Sequence, residues 1–62
     1  MGKRKYKYME NFKEGTIFIY GMGREWWWEV MICNKPKRSS TCYFSVESAV
    51  NGAKKYIDRK II

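Results

Sequence analysis

The chain has no histidine, two cysteines and only six acidic residues among its 62. Zinc sites usually need four Cys or His ligands, so Cys33 and Cys42 alone make a poor site. No histidine, glycine-rich phosphate loop or partnered carboxylate pair is present to carry catalysis, so we expect neither enzymatic activity nor a cofactor. Apolar runs fall far below the ~20 residues that cross a bilayer, so we expect no membrane association. Without a secretory signal, reduced thiols and a cytoplasmic location are expected.

Positive charge and aromatic side chains are what the sequence has in excess. Thirteen Lys and Arg give a net charge of +7 and a pI near 9.7. A basic domain of this kind is attracted to polyanions such as nucleic acid. A chain this short forms one domain and buries only about 60% of its unfolded surface, so its three Trp, five Tyr and three Phe suit a small core.

Three runs are rich in β-branched and aromatic residues and predict β-strands: TIFIY (16–20), WWWEVMIC (26–33) and the shorter STCYF (40–44). GMGRE (21–25), with its two glycines, predicts a hairpin turn. NKPKRSS (34–40) predicts another turn, because Pro36 interrupts a strand. These connections are too short for parallel crossovers, so we expect an antiparallel sheet.

After Phe44 the hydrophobic period changes to that of a helix, with apolar residues at Val46, Ala49, Val50, Ala53, Ile57 and Ile61. Ser45 is a natural N-cap, and Glu47 lies in the first turn, where the helix dipole favours an acid. The order β-β-β-α predicts an α+β fold, a three-stranded antiparallel sheet packed on one C-terminal helix. Lys and Tyr alternate before residue 9, and this pattern makes an extra N-terminal strand an alternative. We assign residues 1–14 to a basic N-terminal arm and 15–62 to a single domain.

One helix covers one face of such a sheet. Side-chain alternation predicts that the covered face consists of Ile17, Ile19, Trp26, Trp28, Val30, Ile32, Cys42 and Phe44. The opposite face, which we call the open face, would carry Phe18, Tyr20, Trp27, Glu29, Met31, Cys33, Thr41 and Tyr43. Two alternatives follow for this face. Either the N-terminal segment folds back and covers it with Tyr6, Tyr8 and Phe12, or it is a binding surface.

The segments MGKRK, WWWEV, NKPKR and YFSVESAVNGAKKYI together form a pattern of basic arm, strand, basic turn and Ala-containing helix. This pattern resembles the N-terminal DNA-binding domain of phage and transposon tyrosine integrases, and the DNA-binding domain of plant ethylene-response factors. Both families lay a three-stranded sheet in the major groove. The resemblance implies DNA contacts at Arg24, Trp27, Glu29, Lys35, Lys37, Arg38, Thr41 and Tyr43. It also implies a phosphate- or minor-groove-binding arm at Lys3, Arg4 and Lys5.

The leading hypothesis is a small standalone module from a phage or mobile element that binds duplex DNA through the open face and the arm. The alternative is a phage-encoded module that inhibits or modulates a host protein through Trp27 and Tyr43, because Trp and Met are enriched in interface cores. A third option is stacking of single-stranded nucleic acid or RNA on the same aromatics. Formation of a homodimer through an edge strand or through Trp27 is a further hypothesis. If the chain comes from a phage, its location is the cytoplasm of the bacterial host.

Overall fold

The computed structural model describes residues 6–61. They form four strands and one helix: β1 (Tyr8–Phe12), β2 (Gly15–Met22), β3 (Glu25–Ile32), β4 (Lys35–Arg38) and α1 (Val46–Ile61). The strands pair antiparallel in the order β1-β2-β3-β4, and a two-residue turn joins each strand to the next. The expected α+β fold is therefore confirmed, and β1 is the extra N-terminal strand. No helix within these described residues is long and apolar enough to cross a bilayer.

Left-handed backbone conformations close the hairpins. Cys33 and Asn34, between β3 and β4, have φ angles of 52° and 63°. Two successive positive φ angles characterise the type I′ turn, whose twist matches that of the paired strands. Gly21, near the end of β2, has φ 139°, and a Cβ atom there would overlap the backbone of Glu25. Only glycine fits at that position.

The last strand lies earlier in the chain than predicted, so the assignment of a strand to residues 40–44 is wrong. β4 begins directly after Asn34 and contains Pro36, within a segment predicted to be a turn. Ser39 N–H donates to the Trp28 carbonyl at 2.9 Å, and backbone polar groups alternate along a strand. The nitrogen of Pro36 consequently faces away from β3, where an edge strand tolerates proline.

The core lies between the sheet and α1. Its buried side chains are Ile17, Ile19, Trp28, Val30, Ala49, Val50, Ala53 and Ile57. All eight belong to the predicted strand face or helical stripe, so that part of the prediction is confirmed. The placement of Cys42 and Phe44 in the core is wrong: Cys42 is exposed, and Phe44 is 80% exposed. These residues leave the sheet after β4, and strand alternation no longer orients them.

The helix begins where its capping residue predicts. Ser48 N–H donates to Ser45 Oγ at 3.1 Å, and Glu47 lies in the first turn. This bond satisfies one of the amide groups that have no partner within the helix. Further along α1, a Cβ atom built on Gly52 would lie 2.6 Å from Tyr43 Oη. Gly52 therefore allows α1 to approach the sheet closely, with Tyr43 between them.

Candidate functional site

The residues predicted to contact a partner do not share one surface. In the sheet register, Trp27 pairs with Tyr20 and Glu29 pairs with Arg38, so Trp27, Glu29 and Arg38 lie together on the open face. Lys35 and Lys37 pair with the core-face residues Ile32 and Val30 and therefore lie on the helix side, because paired residues share a face. Arg24 is exposed in the β2–β3 turn, and Thr41 is exposed after β4. Lys3, Arg4 and Lys5 lie outside the described residues.

Tyr43 also lies on the helix side, which corrects its predicted position beside Trp27. Its backbone exchanges hydrogen bonds with Trp26 at 2.7 and 2.9 Å, in an isolated antiparallel bridge. Trp26 belongs to the helix side of β3, so its partner takes the same side. The Tyr43 hydroxyl oxygen accepts a hydrogen bond from Trp28 Nε1 at 3.3 Å. The predicted Trp27/Tyr43 patch is therefore not formed.

Tyr6 lies over part of the open face. Its ring centroid is 4.6 Å from that of Phe18 and 6.0 Å from that of Tyr20. Lys7 N–H donates at 2.8 Å to the carbonyl of Ile19, the residue opposite Tyr8 in the register. Lys7 and Tyr8 thus both lie opposite Ile19, which is the arrangement of a β-bulge. A bulge reverses the alternation of side chains in the residues that precede it. This irregularity explains why Tyr6 reaches the open face.

The other two aromatics of the expected N-terminal cover lie on the opposite side. Tyr8 pairs with the core residue Ile19, and Phe12 packs against the core. The expected cover of Tyr6, Tyr8 and Phe12 is therefore wrong for Tyr8 and Phe12, because β1 is a strand of the sheet and follows its alternation. Trp27 itself is half-buried.

The centre of the open face is apolar and has little net charge. Glu29, whose side chain is only 15% exposed, places Oε1 3.9 Å from Arg38 Nε and 3.5 Å from the Tyr6 hydroxyl. The one cation predicted for DNA contact on this part of the sheet therefore has a carboxylate beside it. Half-buried Trp27 and Met31 flank this pair on β3. The arrangement differs from the basic sheet face that the sequence predicts.

A second surface, which we call the basic groove, lies between β4 and the C-terminal half of α1. It encloses about 370 Å³ and is lined by Val30, Ile32, Cys33, Lys35, Pro36, Lys37, Tyr56 and Lys60. Half-buried Ile32 supplies apolar surface above the fully buried Val30, while Lys35, Lys37 and Lys60 supply positive charge. Within the described part of the chain, none of these three lysines has a carboxylate oxygen within 4 Å.

Sequence reasoning missed this groove because its parts come from distant segments. Tyr56 and Lys60 are one helical turn apart, which places them on one side of α1. Lys35 and Lys37 are two apart on a strand and so share a face. Each pair is visible in the sequence, but Lys35 and Lys37 lie in a segment predicted to be a turn, and Tyr56 and Lys60 received no predicted role. Only the packing of α1 across β4 brings them together.

The carboxylates of Glu10 and Asp58 lie instead on the β1 side of the helix, where each pairs with a lysine. Lys54 Nζ lies 3.1 Å from Glu10 Oε2, and Lys13 forms an ion pair with Asp58. Hydrogen bonds from the Tyr8 hydroxyl and from Lys54 hold the pKa of Glu10 below its ordinary value, and the same Tyr8–Glu10 bond raises the pKa of Tyr8. With these acids beside β1, the lysines of the basic groove, at the other edge of the sheet, have no carboxylate partner among residues 6–61.

Residues 6–61 contain no group of three or more His, Cys, Asp or Glu that could hold a metal ion. No protein-family model, curated protein or solved structure matches the chain. The resemblance to integrase and ethylene-response DNA-binding domains therefore stays a prediction.

Proposed function

We propose that this chain is a small nucleic-acid-binding module that contacts the phosphate backbone of duplex DNA through the basic groove. The observation that carries the proposal is the convergence of Lys35, Lys37 and Lys60 on one groove, with no carboxylate within 4 Å in the described chain. Lysines held in this way attract phosphates and release the counterions condensed on DNA, which supplies most of the affinity in sequence-independent binding.

The basic groove replaces the open face as the proposed contact surface. On the open face, Arg38 lies beside Glu29, and a carboxylate at that place repels a phosphate. The net charge of +7 supports the same ligand class, because it steers the whole molecule toward polyanions. Lys3, Arg4 and Lys5 keep their proposed role as an arm that adds phosphate contacts.

The proposal is tested by fluorescence anisotropy with labelled duplex DNA at about 50 and 200 mM salt. The variant Lys35→Gln/Lys37→Gln/Lys60→Gln should lose most of the affinity. Its slope of log affinity against log salt should fall by about 0.9 for each lysine that contacts a phosphate. The control Lys7→Gln/Lys55→Gln/Arg59→Gln lowers the net charge by the same three units outside the groove lining and should lose less. Absence of binding by the unmodified protein at low salt would refute the proposal, and equal losses would refute the groove as the contact.

A second candidate function is supported by the apolar open face. Trp27 and Met31 are half-buried there beside a neutralised Arg38–Glu29 pair, a combination that suits the centre of a protein interface. In this case the chain binds and modulates a host protein. The test is capture of a partner from nuclease-treated host lysate. The partner should be lost with Trp27→Ala and retained with the groove variant; the reverse pattern, or dependence on nucleic acid, contradicts this function.

We also propose a cytoplasmic location and an origin in a phage or mobile element. Two free, exposed thiols, at Cys33 and Cys42, suit a reducing compartment. The origin rests on small size and on the resemblance described above, and it is tested by the genes that flank the coding sequence.

A further inference from the structure

The basic groove holds more than positive charge. Val30 is fully buried beneath it, and half-buried Ile32 and Tyr56 add apolar surface. A volume of about 370 Å³ falls within the range of small-molecule sites, roughly 300–1,000 Å³. A ligand that offered only phosphates would leave this apolar surface unused. The lining therefore suits a ligand that combines an apolar body with negative charge.

Tyr56 is the aromatic residue of this lining. Its ring packs against Trp28, with centroids 5.3 Å apart and planes inclined at 35°. Lys60 Nζ lies 5.6 Å from the centroid of the same ring. Trp28 is buried and limits the movement of the ring, whereas Lys60 is exposed and has a long flexible chain. A planar group that contacts Tyr56 therefore has a cation within reach.

We infer that the basic groove accepts one unpaired nucleotide of a single-stranded nucleic acid. The base contacts Tyr56 and the exposed part of Ile32, and the neighbouring phosphates meet Lys35, Lys37 and Lys60. This inference rests on the proposed phosphate contacts of the basic groove and adds a second ligand, a single strand, which also occupies the apolar surface that a duplex leaves unused. Bases inside a duplex are stacked and paired, so only an unpaired base presents its apolar face between two phosphates. Stacking on an aromatic side chain tolerates any base, so we expect little sequence preference.

An extended acidic peptide is the other anionic chain that such a groove could attract. Peptides that bind beside an edge strand usually do so by adding a strand, through main-chain hydrogen bonds. Pro36 has no N–H, and its nitrogen occupies the outward position of β4. The β4 edge therefore offers a poor template for an added strand, and the lining favours a nucleotide.

The two cysteines allow a direct test on the unmodified protein. Cys33 lines the groove, whereas Cys42 is exposed outside the lining. Alkylation by a maleimide is followed at both thiols by mass spectrometry, with and without a short oligothymidylate or a blunt duplex that contains the same tract. We expect the single strand to slow alkylation at Cys33 several-fold more than at Cys42, and the duplex to protect Cys33 less. Equal protection of the two thiols, or equal protection by both DNAs, would overturn the inference.

Affinity measurements on Tyr56 variants complete the test. Tyr56→Leu should weaken single-strand binding by about 5- to 150-fold, the effect of losing one stacked base. Its duplex affinity should change little, and Tyr56→Phe should behave like the unmodified protein. Far-ultraviolet circular dichroism verifies that each variant is folded. If duplex binding persists and Tyr56→Leu leaves the single-strand affinity unchanged, this inference fails and the proposed function stands. If neither DNA binds, both fail.

Discussion

Trp26, Trp27 and Trp28 are adjacent in the chain and occupy three environments. Trp28 is buried against Tyr56 in the core, and Trp26 lies at the core margin, where its Nε1 donates to the Gly23 carbonyl at 2.9 Å. Trp27 points to the other face of the sheet, as strand alternation requires. Two of the three indoles thus have structural roles. Trp27 lies half-buried on the open face, outside this core.

Gly52 shows how one residue sets the distance between helix and sheet. In an exposed helix, replacing glycine by alanine stabilises by about 1 kcal/mol. Here the added Cβ would lie 2.6 Å from Tyr43 Oη and 2.8 Å from Tyr43 Cζ. Tyr43 cannot withdraw freely, because its backbone is bonded to Trp26 and its hydroxyl to Trp28.

We therefore expect Gly52→Ala to destabilise the protein by about 1–3 kcal/mol, the usual cost of overpacking. The control is Asn51→Ala, at the neighbouring exposed position, which should stabilise by up to about 0.7 kcal/mol through helix propensity. Urea denaturation followed by tryptophan fluorescence measures both. Stabilisation by Gly52→Ala would mean that Tyr43 moves aside at little cost.

At the scale of elements, the pairing of β4 with β3 depends on which position of the strand its proline occupies. Because Ser39 N–H points to β3, the N–H of Lys37 points the same way and the nitrogen of Pro36 points outward. Proline at an outward position removes a donor from the exposed edge, which discourages pairing with another chain. Proline one residue later would remove a bond of the ladder itself.

Lys37→Pro should therefore destabilise the protein by about 1–3 kcal/mol, because the Val30 carbonyl opposite it loses its donor. Pro36→Thr should leave the unfolding midpoint nearly unchanged and restore a free N–H at the edge. We expect this second variant to self-associate more at high concentration, as measured by sedimentation velocity. A stable Lys37→Pro variant would contradict the hydrogen-bond direction derived for β4.

At the scale of the whole molecule, the two edges of the sheet differ in how their lysines are paired with carboxylates. Glu10 and Asp58 pair with Lys54 and Lys13 on the β1 side, whereas Lys35, Lys37 and Lys60 on the β4 side have no carboxylate partner within the part of the chain that the structure describes. Under the proposed function, a polyanion would approach the molecule from the β4 side, where these lysines attract it.

The small core makes the fold sensitive to single truncations. A chain of 62 residues has a free energy of unfolding of about 3–9 kcal/mol. Ile57 is fully buried beneath Gly15, and a Cβ atom on that glycine would lie 3.2 Å from Ile57 Cδ1. Ile57→Ala should cost about 2–5 kcal/mol and leave the protein marginally folded, whereas Ile57→Val should cost about 0.5–1.5 kcal/mol. Thermal unfolding measures the two, and similar midpoints for both would contradict tight packing at this site.

The sequence by itself determined the helix, its N-cap, the two central strands and the side of the sheet that forms the core. These depend on local periodicity and capping, which neighbouring residues carry. The turn predicted around Pro36 is wrong, because a proline indicates a turn unless its nitrogen lies at the edge of a sheet, where no hydrogen bond is lost. Tyr43 was misplaced for a related reason: its side depends on one long-range bridge to Trp26 rather than on alternation.

Only the tertiary structure decided where the candidate site lies. The basic groove exists because α1 crosses β4 and sets Tyr56 and Lys60 opposite Lys35 and Lys37. No local pattern encodes that meeting, since about twenty residues separate the two pairs in the chain. The charge of the open face was likewise settled by the sheet register, which places Arg38 opposite Glu29. Sequence composition predicts attraction to a polyanion, and packing selects the surface that can receive it.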